Sequence, residues 1–406
     1  MRLFIEFEMR LLSGITVLFL ILYLPRLIGW FGWLMPQERL HSVKKHRLAL
    51  IIPARDEGKA VLPLFDSIMA QDYNRECFHT YVVVKEPNDE VIGYARSIGA
   101  DVYVDESQQS KGDCLDYCFR KLLAEGMPEY DGYIIVDADC RLDKDFLSAM
   151  NDAMSNPAQV ITARKLVGNY DYAGTSASNW ITCMNGLIWA IIDELGNRFK
   201  SRHGLTTMTI STGILIRREL IESWGGWPYR QTLTEDMELQ RDCGLRGVKT
   251  FHYSYARIRM EESPEHKVTN KRRTRWMTGM TAADRLYAGK LVRRQGMRAF
   301  RDNYYLLCLW SVYAYIGVLA FITVVNLILG CMEVAAASFL LIYTAFFALS
   351  AMAVLADWDN IRLSFCKKIM LMLMHPLFYM EYIYIVGRAV FGWAPKSWEK
   401  IQRVQY

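Results

Sequence analysis

The chain has 406 residues, 52% of them hydrophobic and 22% charged, with 48 Lys and Arg against 43 Asp and Glu for a formal net charge of +5. That length allows a large core plus an accessory part, and charges this evenly spread exclude the dense basic tracts of a general nucleic-acid binder. The nine cysteines lack paired, closely repeated spacing; Cys114 and Cys118, with no nearby partners, read as ordinary thiols rather than zinc ligands.

In chain order, the first element is LLSGITVLFLILYLPRLIGWFGWLM, residues 11–35, whose only charge is Arg26. About 20 apolar residues suffice to span a bilayer, and Arg26 is placed to snorkel toward an interface. The run is long for a secretory signal and lacks a small-residue cleavage site, so a retained anchor is expected. A polar region of mixed composition follows, from Ser42 to Arg294. In it RLALIIP (47–53), HTYVVV (79–84), ADVYV (100–104) and GYIIVDAD (132–139) read as strands. Helical spacing of Val61, Leu64, Phe65, Ile68 and Met69, and a helix over 113–124, separate them. Alternation of this kind predicts an α/β domain with a mainly parallel sheet covered on both faces. Ligands bind beyond the C-terminal ends of such strands, where Asp56, Glu57, Glu86, Asp137 and Asp139 fall.

Two uncharged runs, 306–329 and 334–356, close the chain together with 369–393, which contains His375, Pro376, Glu381 and Arg388. The last run either crosses the bilayer or lies partly at its surface. HSVKKHR after the first span and KLVRR before the second place the large domain in the cytoplasm by the positive-inside bias, and DWDNIRLSFCKK fits the same side. A clean four-span count sends the C-terminus outward, whereas Lys396, Lys400 and Arg403 favour the inside. The expected division is an anchor over 1–41, a cytoplasmic domain over 42–294, and a membrane part over 295–406 with two or three spans and interfacial helices. The whole is an integral membrane protein, placed in the plasma membrane.

A carboxylate at a strand end is usually just solvated. Two of them one residue apart, as in VDAD, can instead hold a hard divalent cation that neutralises a diphosphate leaving group.

The ordered series IIPARDE, KGDCLDYC, VDAD, STGILIRRELIESWGGWP, TEDMEL and RRTRW resembles the membrane-embedded family 2 glycosyltransferases, related in pattern to cellulose, hyaluronan and chitin-oligosaccharide synthases. The resemblance implies a GT-A nucleotide-sugar-binding fold flanked by transmembrane helices, acting as a hexosyltransferase. It places Glu57 and Glu86 at the nucleoside and Lys111 at phosphate, with Gly112 allowing close backbone approach; Asp116 stands where the family has asparagine. Asp139 becomes the direct ligand of Mg²⁺ or Mn²⁺, and Asp137 lies nearer the nucleoside or completes the cation's shell. Asp236 of Thr234-Glu235-Asp236 becomes the general base, although the same residues also suit a helix cap. RRTRW has Arg272 where the family has glutamine; it offers Arg275 to diphosphate and Trp276 to an acceptor sugar, while Arg273 fits a patch for anionic headgroups. Trp227 is a second candidate for acceptor stacking, and Glu235, Arg272 and Glu262 are supporting residues.

The implied reaction is inverting transfer from a nucleotide diphosphate sugar, in the family pattern a UDP-sugar, to a growing β-linked cell-surface polysaccharide. Transfer to a lipid-linked acceptor and an inactive membrane scaffold of the same fold are the alternatives. Expected partners are the donor, a glycan or lipid-linked acceptor, membrane lipids and polymer-export proteins, with no nucleic acid.

Overall fold

A computed structural model describes residues 2–124, 126, 129–170, 178–210 and 212–393. Ser211 and the basic tail containing Lys396, Lys400 and Arg403 lie outside these residues. Among the described residues eight strands form one sheet: β1 (Leu48–Pro53), β2 (Phe78–Val84), β3 (Asp101–Val104), β4 (Gly132–Ile135), β5 (Arg141–Leu142), β6 (Val160–Val167), β7 (Ile214–Arg217) and β8 (Thr250–Met260). Their order is β3-β2-β1-β4-β7-β6-β8-β5. β1 pairs in parallel with β2 and β4, β2 with β3, and β6 with β8; β7 runs antiparallel between β4 and β6. The sheet is therefore largely parallel but mixed.

The aliphatic runs form strands because both faces of the sheet are covered. Leu48, Leu50 and Ile52 of β1 enter one core, and Ala49 and Ile51 enter the other. All five are fully buried, and each large side chain contributes about 1.5–3 kcal/mol. The covering helices are α2 (Leu62–Met69), α3 (Val91–Ser97), α4 (Lys111–Ala124), α5 (Phe146–Ala153), α6 (Trp180–Ile192), α7 (Arg198–Arg202), α8 (Arg218–Trp224) and α9 (Glu235–Arg246), which come after the N-terminal α1 (Arg2–Gly29). Met69, expected on the buried face of α2, is 55% exposed because that short helix buries only Leu64, Phe65 and Ile68.

Beyond the sheet come α10 (His266–Val292), α11 (Met297–Ile328), α12 (Met332–Ala356), α13 (Phe365–Tyr379) and α14 (Glu381–Val390). Among the described residues four segments are long and apolar enough to cross a membrane: 3–34, 309–328, 332–356 and 365–390. They make this a membrane protein with a soluble domain between its apolar ends. The last segment is two helices meeting at Met380, just after Pro376. Tyr382, Ile385, Val386 and Ala389 of α14 pack on Met277, Met280 and Ala283 of α10. Arg26 does not snorkel outward: its Nη1 donates to Tyr305 O of α11 at 3.5 Å, and the residue lines a large cavity that reaches the strand ends.

Candidate active site

β1 and β4 end side by side, and the loops beyond them open into a cavity of about 920 Å³. After β1 the chain turns through Asp56, at φ +56°, and Gly58, at φ +54°. A side chain at 58 would also meet Glu90 Oε1 at 2.6 Å, so glycine satisfies both the left-handed backbone and the close approach. The turn brings Asp56 and Glu57 to the cavity wall. After β4, Val136 N–H continues the ladder to Ile51 O, and Asp137 N–H donates to Thr212 Oγ1 at 3.0 Å. This anchoring carries Asp137 and Asp139 to the same wall.

Lys111, the first residue of α4, places its Nζ 2.6 Å from Asp137 Oδ1 and 3.3 Å from Glu235 Oε1. Burial works to lower the pKa of this ammonium, but the charges of Asp137, Glu235 and Asp236 prevail and raise it. The pairing thus joins KGD, VDAD and TED, three motifs far apart in sequence. Among the described residues no group of three or more His, Cys, Asp or Glu forms a ready metal cage. The nearby Cys114 thiol is held protonated, since burial foremost pushes its pKa up. Asp137 and Asp139 therefore offer hard oxygens without a competing thiolate, a donor set that suits Mg²⁺ or Mn²⁺ when a diphosphate completes the shell.

On the other side of Lys111, Glu235 and Asp236 open α9 and are each 8% exposed. Met237 N–H donates to Asp236 Oδ1 at 2.8 Å, and Thr232 N–H donates to Glu238 Oε1 at 2.6 Å. Thr234 makes no side-chain cap. Its hydroxyl is a buried atom without a partner among the described residues, wedged against Gly279 of α10. The RRTRW residues lie on α10. Arg275 Nη1 donates to Leu233 O at 3.3 Å, and burial above all lowers the Arg275 pKa. Arg272 stacks on Trp276, 5.3 Å from its centroid, and donates to Glu262 Oε2 at 3.2 Å. Glu262 also accepts from Trp189 Nε1 at 2.8 Å, and the Trp189 and Trp276 rings meet edge to face at 5.8 Å. Arg272 and Glu262 thus set the ring of Trp276, and Trp276 lines the cavity.

Four sequence expectations need correction. Trp227 is buried in the core, with Nε1 donating to Tyr229 O and its ring against Phe119 and Trp224, so no sugar reaches it. Glu86 sits on an exposed turn after β2 and does not line the cavity. Gly112 is small to admit the Tyr229–Arg230 backbone, not a phosphate; a Cβ would lie 3.2 Å from Arg230 Cα and closer still to Tyr229 O. Asp116, beneath it, accepts from Arg120, Arg230 and Trp227 N–H and orders that loop. Arg273 is 2% exposed and turns from headgroups toward Glu381, at 2.9 Å, with Phe378 and Tyr382 beside its guanidinium. Sequence reasoning also missed Trp189 and the place of Arg26 and Leu309 in the membrane-side lining, which Tyr313, Tyr379 and Tyr382 complete. The charge of Arg26 inside an apolar run was the available signal.

A largely parallel mixed sheet with paired acidic loops at adjoining strand ends, flanked by membrane helices, defines a nucleotide-sugar-dependent transferase of GT-A-like fold. The chain belongs to the family described as Glycosyltransferase like family 2, whose model matches residues 46–279. Among solved structures, the mannosyltransferase PcManGT from Pyrobaculum calidifontis, in complex with GDP-Man and Mn²⁺, is 14% identical, with 91% of this chain and 99% of that one covered and a TM-score of 0.54. The two share a fold. TarS of S. aureus is 16% identical over 78% of this chain and 54% of its own, with a TM-score of 0.42. Its residues 1–349 in complex with UDP-GlcNAc are 14% identical over 83% and 92%, with a TM-score of 0.44. A search of curated proteins finds no match.

Proposed function

We propose that this protein moves a hexose from a UDP-sugar, with inversion at the anomeric carbon, onto a lipid-linked acceptor that enters from the membrane. The observation that carries this reading is the extent of the cavity. One continuous lining includes Asp137, Asp139 and Asp236 at one end and Arg26, Leu309, Tyr313, Tyr379 and Tyr382 at the other. Met208, Ile210, Met277 and Met280 add apolar wall between them, and Arg26 supplies a cation suited to the phosphate of such an acceptor.

In the reaction, an acceptor hydroxyl attacks the anomeric carbon as the carbon–oxygen bond to the diphosphate breaks. Asp236 takes the hydroxyl proton. Arg275 and Lys111 face the departing negative charge, Glu57 meets the nucleoside, and Trp276 offers its face to the acceptor. Asp139 and Asp137 would hold Mg²⁺ or Mn²⁺, which supplies further neutralisation of the diphosphate. The catalytic unit spans 42–294 and faces the cytoplasm from the plasma membrane, between an anchor over 1–41 and a membrane part over 295–406.

A second reading, synthesis of a β-linked polysaccharide handed to export proteins as in the cellulose, hyaluronan and chitin-oligosaccharide synthases, is favoured by the rings of Trp276, Tyr313, Tyr379 and Tyr382 along the same wall. Isolated membranes given a panel of labelled UDP-sugars distinguish the two. Label extracted into organic solvent supports the lipid-linked acceptor, and label in high-mass, solvent-insoluble glycan supports the polymer. No transfer and no UDP release from any donor overturns both.

A further inference from the structure

A second cavity, of about 440 Å³, opens at the start of β8. Thr250 and Phe251 line it, whereas Met260 at the other end of the strand lines the catalytic cavity. The strand is eleven residues from end to end, so Thr250 and Met260 lie roughly 30 Å apart along it. Elsewhere the two cavities adjoin, since Lys200 and Met208 line the catalytic one while Ser201 and Thr206 line the second.

The second cavity is basic. His203, Lys249, Arg298 and Arg301 contribute to its lining, and among the described residues no Asp or Glu does. Asp302, next to Arg301 in sequence, is buried behind the wall, where it accepts from the N–H of the lining residue Thr206 at 2.7 Å and from its Oγ1 at 2.9 Å. Arg301 Nη2 donates to His203 O at 3.3 Å, which joins two walls. The side chains of Lys249 and Arg298 make no hydrogen bond or ion pair among the described residues. Burial and then the charges of Arg301 and Arg202 lower the His203 pKa, in keeping with a positive field at this spot.

The cavity also lies close to the start of an apolar segment. The apolar span of α11 begins at Leu309, about 12 Å along the helix from Arg301. Between them, Tyr304 OH donates to Leu22 O at 2.9 Å and Tyr305 OH to Pro25 O at 3.2 Å, tying this turn to the second half of the first apolar segment. The cavity wall reaches the same place, because Phe199 packs on His203 at 4.3 Å, on Tyr305 at 5.8 Å, and against Gly29 and Gly32. Arg298 and Arg301 share one helix face by their spacing. Met297 and Phe300, also three apart, are 73% and 70% exposed beside them. A soluble anion needs only the cations. The exposed apolar pair next to them suits a ligand with a phosphate and a hydrocarbon part together.

We propose that this cavity binds the phosphate of an anionic phospholipid at the membrane surface, with Met297 and Phe300 reaching the headgroup–acyl boundary. The ligand seats the start of α11 against the sheet, away from the donor site. The test uses the full chain in a neutral detergent, with thermal stabilisation followed while dihexanoyl phosphatidylglycerol, dihexanoyl phosphatidylcholine or inorganic phosphate is titrated. Saturable stabilisation is expected with phosphatidylglycerol and not with phosphatidylcholine, inorganic phosphate being at least about tenfold weaker than phosphatidylglycerol. The pair Arg298→Ala and Arg301→Ala should weaken phosphatidylglycerol binding about 30-fold, from the usual contribution of two cations at an anionic surface, while Arg298→Lys with Arg301→Lys should retain most of it. Lys249→Gln, on an exposed residue, should weaken it about fivefold and decides the matter if the double variant fails to fold. Equal stabilisation by phosphatidylcholine would show apolar packing alone, and equal affinity for inorganic phosphate a soluble-anion site; either overturns the proposal, as does parental affinity in a folded Lys249→Gln or double-alanine variant.

Discussion

Gly279→Ala tests whether the TED turn is positioned by α10. A Cβ at 279 would lie 2.5 Å from Thr234 Cγ2 and 2.9 Å from Thr234 Cβ, where ordinary contact begins near 3.4 Å. The deficit is about 1 Å. Thr234 cannot absorb it by changing rotamer cheaply, because a β-branched side chain is stiff at χ1 and its Cβ is itself too close. Either α10 or the turn carrying Glu235 and Asp236 must move. Misplacement of a catalytic group by 1 Å can cost about 10²-fold in rate, and overpacking of this kind costs about 1–3 kcal/mol of stability. The expected outcome is transfer reduced about 10²-fold with nearly unchanged donor affinity, measured on one folded preparation by UDP release and by donor titration. Thr234→Gly added to Gly279→Ala removes the clashing atoms and should recover most of the lost rate. A single variant with parental turnover, or a double variant with no recovery, would refute the positioning argument.

Asp236→Asn keeps the size of the proposed base but removes its proton affinity, so transfer should fall about 10²–10⁴-fold while donor titration still shows binding. Loss of donor binding would instead place Asp236 at the nucleotide. Asp139→Asn should lower both turnover and Mn²⁺-dependent nucleotide binding, and full turnover of the parent protein in chelator would exclude the metal role. Asp357 provides a pH test. It is buried and paired with Arg164 at 2.7 Å, and burial raises its pKa from 3.8 to about 6. The folded state therefore holds this proton more tightly than the unfolded state. Its contribution to stability is present below pH 3.8 and lost as pH rises through 6. Relative to the parent, Asp357→Asn should gain about 2 kcal/mol between pH 4 and pH 7, read from paired thermal midpoints; a pH-independent difference would contradict that linkage.

Much of the architecture was legible because it depends on local pattern. Apolar runs such as LALIIP and GYII become strands wherever both faces are covered, and a polar residue directly after such a run must lie at a strand end. That places Glu57, Asp137 and Asp139 at the cavity. The membrane segments were legible from length and lack of charge alone, as was the grouping of acidic and basic motifs to which one reaction gives sense.

Which way a side chain faces was decided only in three dimensions. Trp227 and Trp276 look equivalent as aromatic residues in two motifs, yet packing under α8 buries one, and the rotation of α10 turns the other to the cavity. Arg272 and Arg273 are neighbours, but one helical step of about 100° sends them to Glu262 and Glu381 on different elements. The antiparallel insertion of β7, the contact of Gly279 with Thr234 and the entry of Arg26 into the cavity likewise join residues far apart in sequence. Local pattern dictated the strands, the apolar segments and the chemical types available to the site. Tertiary packing chose which of those groups meet, because helix rotation and long-range pairing depend on surfaces that no single stretch of chain contains.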